Sequence, residues 1–229
     1  MSVPWYAVAD SRSDAAWELY HENAKRGRSD GAPLPRTPVA SPDYGGLPLV
    51  ALGESLPQDP PQRPGALRPG AGPVPLRTLS EILAAGCRPL IPADPVEGFV
   101  CVLSVEAAPR GLAWYDAEAH GLRLIRRDDV LADVAHALAA PGILRHAAAL
   151  IFLAGNLDAA TAQAGERGYR DALIAVGRHV AALETASVAA GLRIEDGVPF
   201  YDREVDALFH LDGLSRSMLH AVAVGASRG

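Results

Sequence analysis

Twelve of the chain's 19 prolines fall between Pro33 and Pro75. Each one fixes φ and removes a backbone donor, so this stretch cannot form a regular helix or a central strand. Gly45, Gly46, Gly65, Gly70 and Gly72 lie among them. The chain therefore divides in two: an N-terminal helix and Pro/Gly-rich arm over 1–76, and a core over 77–229. Leu47, Leu49, Val50, Leu52 and Leu56 persist inside the arm, which points to its docking on the body or on a second subunit.

Composition narrows the class. An apolar fraction of 49% is enough for a real core and too high for a wholly disordered chain. With 21 basic against 27 acidic residues the formal charge is −6, so nucleic acid is not an expected partner. Two cysteines, Cys87 and Cys101, cannot build a disulfide framework or a Cys-rich zinc site, and read as buried reduced thiols. The most apolar run, Ala147 to Ala154, falls short of the ~18 residues of a membrane span and fits a buried strand. MSVPWYAVAD lacks the basic and apolar regions of a secretory signal. The expectation is a soluble, cytoplasmic protein with no membrane partner.

The pattern predicts a helix over Ser13 to Lys25, capped by Ser11 or Ser13, and a second helix opened by a Thr78-Leu-Ser-Glu81 capping box and closed by Gly86. Three antiparallel strands follow, over Gly98–Glu106, Gly111–Asp116 and Gly121–Arg126. Asp128 or Asp129 caps a helix to about Leu138, and Ala147–Leu153 is a buried strand. A long helix runs from Gly165 to Ala190, a short one from Asp202 to Leu211, and a last strand from Met218 to Val224. This irregular order predicts an α+β fold with a central, mostly antiparallel sheet flanked by helices.

Self-contained catalytic signatures are missing. Gly70-Ala-Gly72 sits among prolines and does not make a dinucleotide fingerprint, and there is no GxxxxGK[ST], GxSxG, HExxH or CxxC. The seven histidines are scattered, His136, His146, His210 and His220 among them, and no metal site is expected. Asp128-Asp129 and Glu195-Asp196 read as helix starts or turns. Arg123, Arg126 and Arg127 read as a charged strand edge, and Glu166, Arg167 and Arg170 as a charged cluster that either pairs internally, the favoured reading, or binds an anion. His21, Glu22, Tyr169 and His179 are the candidates for a polar site.

Four segments, in order, resemble the SagB-type dehydrogenases, the azoline oxidases of the nitroreductase superfamily. Tyr20-His-Glu-Asn-Ala-Lys25 resembles the family's Tyr-His-Glu-x-x-Lys signature. Gly111-Leu-Ala-Trp-Tyr-Asp116 with His120-Gly-Leu-Arg-Leu124 resembles its hairpin. Gly165-Glu-Arg-Gly-Tyr-Arg170, with Ala172-Leu-Ile174, Gly177 and Gly191-Leu192, resembles its long helix. Leu211-Asp-Gly-Leu214, leading to Ala221-Val-Ala-Val-Gly225, resembles its closing element.

The resemblance implies a nitroreductase-like fold, a homodimer or heterodimer with FMN at the interface, and work beside a cyclodehydratase on a peptide substrate. Members oxidise thiazoline or oxazoline rings in ribosomal peptides. It leaves Arg63, Arg68, Arg88, Arg167 and Gly225 as candidates to hold the cofactor.

The departures fall on the chemistry. The family's Arg-Arg-Ser-x-Arg phosphate-binding stretch is Arg63-Pro-Gly-Ala-Leu-Arg68 here, and its Pro-Ser-Gly-Gly turn is Arg88-Pro-Leu-Ile-Pro-Ala-Asp-Pro95. That turn has lost its glycines, and Asp94 brings a negative charge toward the expected flavin. The Lys-Tyr pair that acts in proton transfer falls on Gln163 and Ala164, which cannot replace it. The helix Gly-His becomes Gly177-Arg178, with His179 one place later, and the Gln-Asn pair becomes Ala181-Ala182. The expected function is FMN-dependent azoline dehydrogenation, alone or as one subunit of a heteromer. The alternative is a flavin-free scaffold or binding subunit of a peptide-modifying complex.

Overall fold

A computed structural model describes residues 16–25, 27, 72–127 and 129–226. Six strands form one sheet: β2 (Val96–Val102), β4 (Gly111–Asp116), β5 (Gly121–Arg126), β6 (Ala149–Asn156), β7 (Leu192–Asp196) and β8 (Arg216–Ala226). Their order is β5-β4-β2-β6-β8-β7, with every neighbouring pair antiparallel. A separate short parallel pair joins β1 (Val74–Pro75) to β3 (Val105–Glu106). The helices are α1 (Ala16–Ala24), α2 (Leu76–Gly86), α3 (Leu131–Ala137), α4 (Leu157–Ala164), α5 (Arg167–Ala189) and α6 (Asp202–Leu208). β1 and the start of α2 straddle the expected boundary between residues 76 and 77.

The sheet is covered on both faces, which explains the unbroken apolar run of β6. Alternate residues separate cleanly. Leu150, Phe152 and Ala154 join Phe99, Cys101, Met218 and Phe209 beneath α3 and α6. Ala149, Ile151 and Leu153 join Val100, Val222, Leu79 and Leu183 beneath α2 and α5. Cys87 and Cys101 are free and buried, and burial pushes both thiols up to about 12. Among the described residues, α5 is long and apolar enough to cross a membrane by length and composition. It buries Ala172, Ala175, Val176, His179 and Leu183 against the body.

Several local expectations change. α2 starts at Leu76 behind Pro75 with no side-chain cap, so Thr78 lies inside the helix rather than before it. Proline's fixed φ already suits a helix start. Asp129 accepts from Leu131 N–H (3.1 Å) and so orders the entry to α3, while Asp128 lies outside the described residues, as do Ser11 and Ser13. The expected long helix is α5, and a further helix, α4, which the sequence did not predict, precedes it. Gly165, at φ +60°, separates α4 from α5, and Asn156 caps α4 by accepting from Ala159 N–H (3.1 Å). Glu195-Asp196 belongs to edge strand β7, where Asp196 pairs with His220 of β8 at 2.6 Å. Arg123 and Arg126 sit on the opposite edge, paired with Asp116 and Asp133.

α1 docks through its Tyr-His-Glu-x-x-Lys segment. Trp17 stacks on Tyr169 (centroids 5.8 Å apart), and its backbone N–H donates to Glu166 Oε2 (3.0 Å). Lys25 binds Glu22 (2.7 Å) and the Gly213 carbonyl, and Arg203 binds Glu22 (3.1 Å). Gly213 takes φ +71°, and a Cβ there would meet Asp206 Oδ2 at 2.8 Å. Asp206 in turn accepts from Met218 N–H (2.7 Å) and Ser217 Oγ (3.0 Å).

Burial pushes the Asp206 carboxyl up to about 6, against those hydrogen bonds and Lys25, and pushes His21 down to about 4, helped by Lys25. The two act in opposite senses. Asp206 binds its proton more tightly folded than unfolded, so its contribution is lost as pH rises toward 6. His21 binds its proton less tightly folded, so its contribution appears as pH rises toward 6.5. Between pH 5 and 7 they largely cancel. Asp206→Asn removes one side, so its stability relative to wild type should improve by ~1–2 kcal/mol from pH 5 to pH 7 in urea unfolding. An unchanged difference across that range would contradict the assignment.

Candidate functional site

The wall of the candidate site is the loop from Arg88 to Pro95, between α2 and β2. It is fixed from inside. Asp94 accepts from Leu90 N–H (2.8 Å) and Val96 N–H (3.1 Å), and its Oδ2 lies 3.0 Å from His179 Nε2 on α5. The Asp94 side chain is 1% exposed. The expectation that Asp94 turns its charge toward a bound flavin is therefore corrected, because the carboxylate faces inward and its contacts are with the loop's own N–H groups and His179 of α5.

Outside this clasp lies a pocket of about 360 Å³. Ile91, Pro92, Ala93 and Pro95 wall one side, and Ala160, Ala164, Gly168 and Ile174 the other. Gln163, Arg167, Asp171 and Arg178 supply its polar groups. α4 and α5 converge here because Gly168 lets them touch: a Cβ would stand 2.1 Å from the Ala160 carbonyl oxygen. Arg167 pairs with Asp171 at 3.6 Å, one helical turn on. Sequence reasoning did not select Asp171 or Arg178 as pocket residues. The signal lay in the i, i+4, i+11 spacing from Arg167, which returns to one helix face.

The four polar candidates do not form one site. His21, Glu22 and Tyr169 meet where α1 docks, with His21 Nδ1 3.2 Å from the Tyr169 hydroxyl. His179 lies ten residues further along α5, about 15 Å by helical rise, and is fully buried. Of the cofactor candidates, Arg63 and Arg68 lie outside the described residues. Arg88 is exposed and hydrogen-bonds Tyr115. Arg167 lines the pocket just beyond the Asn156 end of β6, and Gly225 pairs with Arg193 near the Ala149 end. Within one chain these two are separated by the length of the sheet. Gln163 and Ala164 both line the pocket.

A second pocket, of about 250 Å³, opens near the Ala149 end and is lined by Arg110, Arg145 and His146. Among the described residues no group of three His, Cys, Asp or Glu side chains is arranged to hold a metal.

No family model matches the sequence, and no curated protein does. Solved structures do. One is in the E. coli microcin synthetase McbBCD complex with truncated pro-MccB17 bound, at a TM-score of 0.73 and 15% identity, covering 93% of this chain and 92% of that one. An Anabaena variabilis protein assigned as a nitroreductase gives a TM-score of 0.62 at 21% identity over 72% of this chain. The chain has the nitroreductase fold. It spans about a third of the Anabaena protein, 36% of its length. A Desulfovibrio desulfuricans nitroreductase-fold protein, solved in complex with FMN, matches at a TM-score of 0.50 and 17% identity, over 73% of this chain and 86% of that one. The fold class expected from the sequence, an α+β fold with an antiparallel central sheet flanked by helices, is thus the one found, with β7 and α4 as additions that were not expected.

The pocket's groups can be tested against the flavin that this fold carries in the Desulfovibrio structure. Its apolar walls suit a planar ring, and its guanidinium and amide groups suit the ring's polar edge. The residues fit the ring system. They do not reproduce the Lys-Tyr pair, and the Leu90 and Val96 N–H groups are committed to Asp94, so the polar contacts described here come from side chains.

Proposed function

We propose that the chain is an oxidoreductase subunit of a peptide-modifying complex, which dehydrogenates azoline rings in a ribosomal peptide with FMN as electron acceptor. The observation that carries this reading is the pocket itself. It joins the positions of Gln163 and Ala164 to the 88–95 loop, the two segments where the family resemblance locates the chemistry. Full-length likeness to a chain from a synthetase complex supports a multisubunit setting with a peptide substrate.

When bound, FMN supplies the two-electron acceptor. Arg178 and Arg167 would hold the flavin's electron-rich edge, and Gln163 would orient a peptide amide. Asp171, the one carboxylate among the described pocket residues, would take the ring proton, with Arg167 orienting it at 3.6 Å. The apolar walls would exclude water.

The test is turnover of an azoline peptide by the full chain co-produced with its partner subunits. Asp171→Asn should lower turnover by roughly 10²–10⁴-fold with FMN binding retained. Turnover equal to wild type would remove Asp171 from the reaction. The loss of the Lys-Tyr pair at Gln163 and Ala164 favours one other reading, a flavin-free subunit that binds the peptide. A chain that captures the peptide but neither binds FMN nor turns it over, partners present, would select it.

A further inference from the structure

The second pocket, of about 250 Å³, takes no part in the reading above. Val102, Val130 and Leu144 give it an apolar floor, and Arg110, Arg145, His146, Ser104 and Asp129 supply its polar groups. Elsewhere Arg123, Arg126, Arg203 and Arg216 each pair with a carboxylate. Arg110 and Arg145 are exposed and form no ion pair among the described residues, although the chain carries a net charge of −6. We infer that this pocket binds a phosphate monoester of a small organic molecule, with the phosphate held by Arg110 and Arg145.

Local structure brings these cations together. Arg110 precedes β4, where Gly111 takes φ +144° and a Cβ would stand 2.1 Å from the Arg126 carbonyl oxygen. The same close approach sets Arg127 beside Arg110, since its Cα lies 3.4 Å from that Cβ position. Arg145 ends the 3₁₀ turn Pro141–Arg145, and its Nη2 lies 3.5 Å from the Cβ position of Gly142. The His146 and Ala147 N–H groups fix this turn by donating to the Ile143 carbonyl (2.9 and 3.0 Å). The Leu103 and Ser104 N–H groups donate to the Ala148 carbonyl (3.0 and 2.8 Å), which ties the end of β2 to the start of β6. His146 Nδ1 is buried, so Nε2 is the ring nitrogen left to meet a ligand.

The charge balance selects the ligand. The guanidinium groups of Arg110, Arg127 and Arg145 against the Asp129 carboxylate leave two positive charges, and a phosphate monoester carries about −1.5 to −2 near neutral pH. Guanidinium forks match phosphate oxygens, and a carboxylate offers them only one charge. Asp129 is turned to its own loop, accepting from the Leu131 N–H (3.1 Å), and its charge opposes the ligand rather than holding it. The pocket is small for a ligand site, so it takes a phosphate with a body of about one ring, which the apolar floor covers. It lies at the other end of the sheet from the pocket lined by Ala164 and Gly168, so nothing in this inference depends on a flavin.

The test is a titration of the ¹⁵N-labelled full chain with phenyl phosphate, inorganic phosphate and benzoate at pH 7, followed by amide chemical shifts. Phenyl phosphate should saturate with a Kd below about 1 mM. It should shift the Ser104, Leu131 and Ala147 amides and leave Gly168 unmoved. It should bind at least roughly threefold more tightly than inorganic phosphate, through the apolar floor, and at least roughly tenfold more tightly than benzoate. Arg110→Glu and Arg145→Glu should each weaken binding at least roughly tenfold, with thermal unfolding unchanged because both side chains are exposed. Asp129→Asn keeps the oxygen that accepts from Leu131 and removes the opposing charge, so it should tighten binding several-fold. Absence of saturation, benzoate binding as tight as phenyl phosphate, shifts centred on Gly168, or weaker binding by Asp129→Asn would overturn the inference. So would a folded charge-reversed variant that binds as well as wild type. Ala164→Trp fills the other pocket and should leave phosphate binding unchanged, so a failed flavin site and a failed phosphate site give different results.

Discussion

Replacing His179 by alanine is expected to lower stability by roughly 3–5 kcal/mol, the range for taking the partner away from a buried carboxylate. The substitution leaves the Asp94 carboxylate, with a side chain 1% exposed, facing a cavity, and leaves the Gly86 carbonyl without its donor. For a chain of this size each kcal/mol shifts Tm by about 2–4 °C, so thermal unfolding should move down by roughly 6–20 °C. His179→Gln should recover only part of this, because one amide cannot bridge both acceptors. A shift of less than about 3 °C for the alanine variant would mean that the clasp carries little of the fold's stability.

Gly168→Ala comes next in size. The added Cβ would stand 2.1 Å from the Ala160 carbonyl oxygen and 2.7 Å from the Thr161 nitrogen, both backbone. Backbone atoms cannot turn aside as a flexible side chain does, so α4 and α5 must separate. The cost should be roughly 2–3 kcal/mol, as for other overpacked contacts. Because Ala160 and Gly168 both line the pocket, ligand affinity should fall with stability. Gly177→Ala on the same helix provides the control. Nothing lies within 4 Å of its Cβ position, and alanine is the better helix former, so that variant should be neutral or more stable by up to ~1 kcal/mol. Equal effects at the two glycines in urea unfolding would contradict the close helix contact.

The sheet was legible because its signals are local. Phe99 to Val102 and Ala149 to Leu153 are apolar at every position, as strands covered on both faces must be. Gly111-Leu-Ala-Trp-Tyr-Asp116 and Gly121-Leu-Arg-Leu-Ile-Arg126 carry a hairpin in their own residues. α4 was harder to read, since Leu157-Asp-Ala-Ala-Thr-Ala-Gln-Ala164 carries one large apolar residue and shows no apolar periodicity, and Gly165 parts it from α5. β7 alternates only over Leu192-Arg-Ile-Glu195, a run of four residues that is too short a signal beside the end of a long helix.

The candidate site was half legible. The resemblance pointed to Gln163, Ala164 and the 88–95 loop, and these meet at one pocket. It did not reveal that Asp94 turns inward, because that depends on His179, 85 residues away. A one-residue shift along a helix moves a side chain by about 100°, which takes His179 into the core and leaves Arg178 on the pocket.

The most direct measurement is a titration of the full chain with FMN, followed by quenching of flavin fluorescence, with and without co-produced partner subunits. Saturable, stoichiometric quenching is the predicted result. It should be abolished by Ala164→Trp, which fills the pocket, and weakened at least roughly tenfold by Arg178→Glu, which reverses a charge at its rim. A wild-type chain that binds no FMN in either state, or an Ala164→Trp variant that binds it as well as wild type, would contradict the placement of a flavin between the 88–95 loop and α5.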